Sequence, residues 1–425
     1  FSNLPMDFEK RWKDVNIMHK RIFKIKIFNF LFFIILSFHH SVVCQTITSL
    51  PSDIDISISP NGIVSLPDNI DNIFKDFDRY TKIYAPNKKP IHIIIEPGYS
   101  DRQVVYARKV LINHLTNLPG TKYGHDKTTI ANAMANNQSI LFLFKDTKSF
   151  RSWFKKVERK GISINGQDLR SYETILEGTD GYMAKKSPTR DASYEEIMHF
   201  VQQWGIEQAH PTLSQDLFDA FWDARAKNIY MLDYDETHEY FICGFEAYFD
   251  MWAHDPENDG TREDEYVPIS NSSLKVNDPK MYKIVEGFMG NHWLYLAEIV
   301  DEFGGHFSLH KEENETYTNK SQHLRRAALT GYKNTNLTGN NFDNSLFGNS
   351  GNNKIRPLGG FDIIDGGPGE DTAIFIGKRS EYILRNQDGR LVVDDIHYYR
   401  DGQNILINME KIKFSDNLLN LADIK

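Results

Sequence analysis

At 425 residues the chain exceeds what one hydrophobic core usually serves, so two folded units with tails are expected. Its 58 acidic against 49 basic residues leave a net charge of −9, and no basic patch interleaved with aromatics occurs, which argues against a nucleic-acid partner. Aromatics at 13% supply a packed core and argue against general disorder. Cys44 and Cys243 are the only cysteines, so no disulfide framework holds the chain together and metal is left as the stabilising device of a secreted protein.

Residues 1–44 read as a signal peptide with upstream residues. Lys20, Arg21, Lys24 and Lys26 precede the apolar run Ile27–Phe38, and small residues follow at Ser41–Cys44. The run is too short to span a bilayer comfortably, so no stable membrane span is expected after its removal, and translation is placed at Met18. The localisation implied is secreted. Residues 45–89 are polar and turn-rich and read as a leader or short edge strands. Ile91–Ile95 and Leu141–Phe144 then read as strands, and Val104–Asn117 and Thr147–Glu158 as helices, which opens an α+β domain over 90–309.

The stretch Asp191–Trp204 reads as a helix capped by Ser193, with Ile197, Phe200, Val201 and Trp204 on its buried face. Glu195 and His199 stand four apart, one above the other, with Glu196 beside them. The string Glu195-Glu196-Ile197-Met198-His199 resembles the H-E-x-x-H motif of zincin peptidases, departing from it in having Glu where the first histidine belongs. Further on, Glu239-Tyr240-Phe241 resembles the gluzincin segment, that of the lethal-factor-like group among others, that brings the third zinc ligand. By that resemblance Glu195, His199 and Glu239 hold zinc and Glu196 is the general base, with Glu246 an alternative ligand seven residues along the same helix. A carboxylate in the first position lowers the ion's net charge and weakens its acidification of bound water. A metal-dependent hydrolase and a fold that has lost catalysis therefore both stand. His210 reads as a surface loop histidine, and Asp255–Glu265 as a solvated acidic loop, since Tyr266 stands where an EF-hand needs its bidentate Glu.

After a polar linker over 310–335, residues 339–374 divide into four nines, GNNFDNSLF, GNSGNNKIR, PLGGFDIID and GGPGEDTAI. Position six holds Asn344, Asn353, Asp362 and Asp371, and position eight holds Leu346, Ile355, Ile364 and Ala373. A turn of six and a strand of three would make half a coil of a parallel β-roll, with one apolar side chain per nine in a thin core. Its turn oxygens suit calcium, so folding is expected to depend on that ion. The pattern resembles the hemolysin-type calcium-binding repeats of RTX proteins. The resemblance implies calcium ligands at Asp362 and Asp371, with the backbone of Gly360, Gly366, Gly367 and Gly369 shaping the turns. The first two rows, with Asn at positions two and six, are expected to hold calcium weakly or not at all.

The remaining runs, Glu381–Leu384, Leu391–Val393 and Ile405–Ile407, read as strands separated by Asp388-Gly389 and Asp401-Gly402 turns, and Asn408–Asp416 resembles the strand after the roll in RTX modules. They would cap its open end, completing a unit at 336–425. The fold class expected is thus α+β, a mostly helical zincin-like domain followed by a parallel β-roll with a β-strand cap. The cofactors implied are calcium and zinc, and the partner of an active enzyme would be a protein or peptide. The chain has no phosphate-binding G-x-x-x-x-G-K-[ST] loop, no G-x-S-x-G elbow and no paired C-x-x-C. The competing reading is a non-enzymatic extracellular calcium-binding or adhesion protein.

Overall fold

The computed structural model describes residues 50–179, 191–231, 237–249, 251, 265–290, 296–310, 325–397 and 399–423. The apolar run read as a signal peptide, Cys44 and nearly all of Asp255–Glu265 lie outside them. Among the described residues no helix is long and apolar enough to cross a membrane. The fold is α+β, mixing helices with mixed sheets.

The first sheet runs in the order β1 (Val64–Ser65), β2 (Arg79–Tyr84), β3 (Pro90–Ile95), β4 (Ile140–Phe144) and β5 (Gly166–Arg170). The first three strands are antiparallel and the last three parallel. Strands β3 and β4 are buried along their whole length, as unbroken β-branched and aromatic runs require when both faces are covered. The stretch 45–89, read as leader or edge strands, supplies β1 and the internal strand β2. Its Tyr80, Thr81 and Lys82 are buried between neighbours on both sides, a fit that so polar a six-residue segment does not advertise.

Helix α1 (Asp101–Leu115) starts at a capping box of Ser100 and Gln103. Next come α2 (Thr128–Asn136) and α3 (Thr147–Lys160); α3 is capped by Asp146 and ended by Gly161 at φ +61°. Helix α4 (Ser193–Val201) passes into a π-helical turn at Gln202–Ile206. Ser193, expected to cap α4, is instead its first residue, and the Asp191 carboxylate accepts its backbone N–H at 2.9 Å. Helices α5 (Pro211–Ala226), α6 (Thr237–Tyr248), α7 (Asn271–Asn277) and α8 (Pro279–Met289) complete this part.

Helix α6 is buried from Tyr240 to Tyr248, so its seat is set by packing on every side, against α4, α5, α7 and α8. Asp278 fixes that seat. Its carboxylate accepts from the hydroxyls of Tyr240 (2.7 Å) and Tyr266 (3.0 Å) and caps α8 through Met281 N (3.1 Å). Three bonds to one buried group tie the start of α6 to that of α8, and Glu239 stands in the first turn of α6.

The C-terminal strands alternate between two sheets. One contains β6 (Leu296–Ile299), β8 (Arg326–Leu329), β10 (Ser345–Phe347), β12 (Phe361–Asp365) and β16 (Gln403–Ile407), and the other β7 (Gly305–Ser308), β9 (Thr335–Thr338), β11 (Lys354–Arg356), β13 (Thr372–Ile374) and β17 (Lys411–Lys413). Every pairing among these ten is parallel. Within the repeat, Leu346 stands beside Ile364 and Ile355 beside Ala373. All four are fully buried, as are Leu337 and Ala327 before them and Ile412 after them. The ladder therefore begins at Leu296, well before the recognisable nines and across the segment read as a linker, and the eighteen-residue step from Ser308 to Arg326 is what breaks the spacing of nine there.

Strands β14 (Tyr382–Gln387) and β15 (Arg390–Asp395) form an antiparallel hairpin on β16, and β18 (Leu418–Asn420) lies antiparallel on β17. At the hairpin tip Asp388 and Gly389 both take positive φ, +52° and +78°, as a tight two-residue turn demands. Arg400 holds its base, donating to both Asp395 oxygens (2.7 and 2.8 Å) and to Glu381 (2.6 Å).

The Ile364→Ala substitution is expected to cost about 2–5 kcal/mol in urea unfolding, because the thin core closes poorly around a cavity. Phe361→Ala on the exposed face of the same strand should stay within about 0.5 kcal/mol.

Candidate metal centres

Two places gather oxygen and nitrogen ligands. The first lies between α4 and α6. Glu195 and His199, one helical turn apart on α4, meet Glu239 of α6, and one ligand atom from each falls within 4.8 Å of the others. His199 Nε2 lies 3.7 Å from Glu239 Oε1, and all three residues are half-buried. A tetrahedral zinc with bonds of about 2.0–2.1 Å needs its ligand atoms roughly 3.4 Å apart, so side-chain rotation of about 1 Å would close the set. Two carboxylates and one imidazole would balance a divalent charge and leave a fourth position open. The residues fit such an ion.

Glu196, next to the first of these ligands, is braced from the edge strand. Gln167 Nε2 on β5 donates to Glu196 Oε2 at 2.6 Å. Behind it Arg170 bridges Asp168 (2.6 Å) and Glu173 (2.7 Å). Burial first, then the charges of Glu173, Glu195 and Asp168, push the Glu196 carboxyl well above the usual carboxylate range, against the pull of Arg170. Such a group holds its proton more readily than a free glutamate, the direction that brings a general base towards neutral pH.

The other sequence candidates fall elsewhere. Glu246 is fully buried in the interior of α6 and is not one of the three grouped residues. His210 is a helix cap, its Nδ1 accepting from Leu213 N at 3.2 Å ahead of Pro211. Gln167 was not legible as a site residue, since only the parallel pairing of β5 beside α4 brings it there. A cavity of about 850 Å³ lined by Lys82, Tyr84, Arg108, Ile112 and Thr116 includes none of the Glu195, His199 and Glu239 group.

The second place is the stack of turns in the repeat. Position six forms a ladder there: Asn344 N donates to Asp362 Oδ1 at 2.8 Å and Asn353 N to Asp371 Oδ1 at 2.7 Å, each across eighteen residues. The amide rows satisfy themselves. Asn344 Nδ2 donates to Asn340 Oδ1 (3.0 Å), Asn353 Nδ2 to Asn349 Oδ1 (3.1 Å) and to Thr335 O (2.8 Å). An NH₂ group thus stands where a carboxylate row would need a cation, and the asparagines at positions two and six work as pairs.

The carboxylate rows do not satisfy themselves. Asp362 Oδ2 and Asp371 Oδ2 are buried and find no hydrogen-bond donor among the described residues. Burial pushes the Asp362 carboxyl up to about 9 and that of Asp371 up to about 6. Glycine makes the room around Asp371: a Cβ on Gly366 would lie 2.7 Å from its Oδ2, and one on Gly369 would lie 3.2 Å from it and 2.5 Å from Gly351 O. Gly360, Gly367 and Gly369 take φ of +130°, +78° and +155°. Orphaned carboxylate oxygens in a glycine-shaped turn fit a hard, oxygen-seeking cation.

No family model matches the chain, and no curated protein shows significant sequence similarity to it.

In chelator, the Asp362→Asn variant is expected to be more stable than the parent by about 1–3 kcal/mol at pH 7, because an amide fills the buried position without the proton that the carboxyl must take up on folding. The sign with pH follows from raised folded values. Both aspartates keep their protons in the folded chain where the unfolded chain has lost them. Their favourable contribution is complete below the ordinary carboxylate value of 3.8 and is lost as pH rises through about 6 for Asp371 and about 9 for Asp362. The advantage of Asp362→Asn in thermal unfolding should accordingly widen from pH 5 to pH 9; an advantage constant over that range would contradict the ionisation account.

Proposed function

We propose that the chain is a secreted calcium-binding protein whose helical part is a zincin-like, zinc-dependent peptidase centre and whose C-terminal part is a parallel β-roll with a β-strand cap. The observation that carries the first half is the meeting of Glu195, His199 and Glu239 with Glu196 braced beside them. Glu195, His199 and Glu239 would hold the zinc, which supplies Lewis acidity toward a peptide carbonyl and toward water. Glu196 takes the proton of the attacking water and returns it to the leaving amine, and Gln167 keeps its carboxylate aimed. The substrate class is protein or peptide. The orphaned oxygens of Asp362 and Asp371 and the glycine turns support calcium in the roll.

A second reading has its own observation. With Glu195 in place of a first histidine the ligand set carries two negative charges, which blunts the ion's acidity. The helical part is then an inactive zincin-like domain on a calcium-binding or adhesion protein.

Elemental analysis of protein purified without chelator decides between them. The peptidase reading expects about one zinc per chain, lost in His199→Ala and kept in Glu196→Gln, with proteolysis of a mixed protein substrate falling by about 10²–10⁴ in the latter. Calcium without zinc would overturn it in favour of the second reading.

A further inference from the structure

Beyond the repeat, two residues of the cap present the same unmet demand as Asp362. Strands β12 and β16 pair in parallel with Asp362 opposite Asn404, and both residues point inward, flanked by outward-facing Phe361, Ile363, Gln403 and Ile405. Asn404 Nδ2 donates to the backbone carbonyl of Asp401 at 2.6 Å, which draws the Asp401 turn over the same spot. Asp362, Asp401 and Asn404 are all fully buried. One oxygen of each, Asp362 Oδ2, Asp401 Oδ1 and Asn404 Oδ1, has no hydrogen-bond donor among the described residues.

The other oxygens of these groups are engaged, so the side chains are held in place. Asp362 Oδ1 accepts from Asn344 N (2.8 Å), and Asp401 Oδ2 accepts from Ile376 N (2.9 Å) and Tyr382 OH (2.5 Å). Three buried acceptors without a donor, on residues joined by the strand pairing and the Asn404 to Asp401 bond, cost free energy that a bound cation would recover.

We propose that Asp362, Asp401 and Asn404 form a divalent cation site of the calcium class at the junction of the third repeat row and strand β16. The donors are all oxygen, which suits calcium and not zinc. Two carboxylates balance the charge. Burial first, then the charges of Asp343 in the first row and of Asp401, raise the Asp362 carboxyl. Burial raises the Asp401 carboxyl, and Arg356 on β11 eases it through its charge while its own Nε finds no acceptor. This site deepens the calcium reading of the roll and rests on it. It adds ligands from outside the nine-residue pattern, so one ion would join the repeat to its cap.

Calcium alone, titrated calorimetrically into the full chain after chelation, tests the assignment. Asn404→Asp is expected to tighten one site about tenfold, and Asn404→Ala to weaken the same site at least tenfold. Asp371→Asn should abolish a different site and leave this one unchanged. Asp401→Asn should weaken the junction site as well, while its remaining oxygen still accepts from Tyr382 and Ile376. If both Asn404 variants bind calcium as the parent does while Asp362→Asn loses a site, the roll holds its calcium without the cap and the inference fails alone. A parent chain that binds no calcium at millimolar concentration would overturn the inference and the calcium reading together.

Discussion

The C-terminal repeat depends on one bond made twice: a carboxylate oxygen at the sixth position of a row accepting a backbone N–H from eighteen residues earlier. That bond can form only if rows two apart stack in parallel and in register, so it fixes both sheets at once. It also consumes one oxygen of each position-six carboxylate and leaves the second to find its own partner. The side chain's chemistry then decides what the row requires. An amide brings its own NH₂ and pairs with the asparagine four residues earlier, whereas a carboxylate arrives with a charge and nothing to offset it. The two kinds of row share a backbone and differ in whether they are complete.

The helical centre shows the same logic in another form. Glu195, His199 and Glu239 approach one another because α4 and α6 are locked for reasons unrelated to metal, α6 by burial on all sides and by the Tyr240, Tyr266 and Asp278 bonds. Two carboxylates held near one imidazole by a rigid apolar frame are preorganised, and the energy of holding them there comes from the core.

How much of this was readable in the residues follows from how local each signal is. Strands β3 and β4 announce themselves by β-branched and apolar density and helix α1 by periodicity, all within a dozen residues, and Glu195 and His199 by a spacing of four. Glu239 was legible through resemblance alone, since no local rule links it to α4. Strands β6 to β8 were missed because the sequence between Ser308 and Arg326 interrupts the spacing of nine, and a parallel pairing over thirty residues leaves no local mark. Gln167, Asp401 and Asn404 were missed for a related reason. Each is an ordinary polar residue in its own strand or turn and acquires its role from the neighbour across the sheet. A polar side chain at an inward position, as in the Asn404 to Leu406 alternation, was the available clue.

The excursion that carries the β14 and β15 hairpin has a thermodynamic meaning. Strand β16 takes the next place on the ladder although forty-two residues separate Asp362 from Asn404, where eighteen separate Leu346 from Ile364. Closing the longer loop costs only about 0.7 kcal/mol more, because the entropy of closure grows with the logarithm of length. The ring contacts among Phe375, Tyr382 and Phe414 more than offset so small a term. The ladder is thus nearly indifferent to what the chain does between rungs, and a whole structural element can be interposed without disturbing the order of the strands on either side.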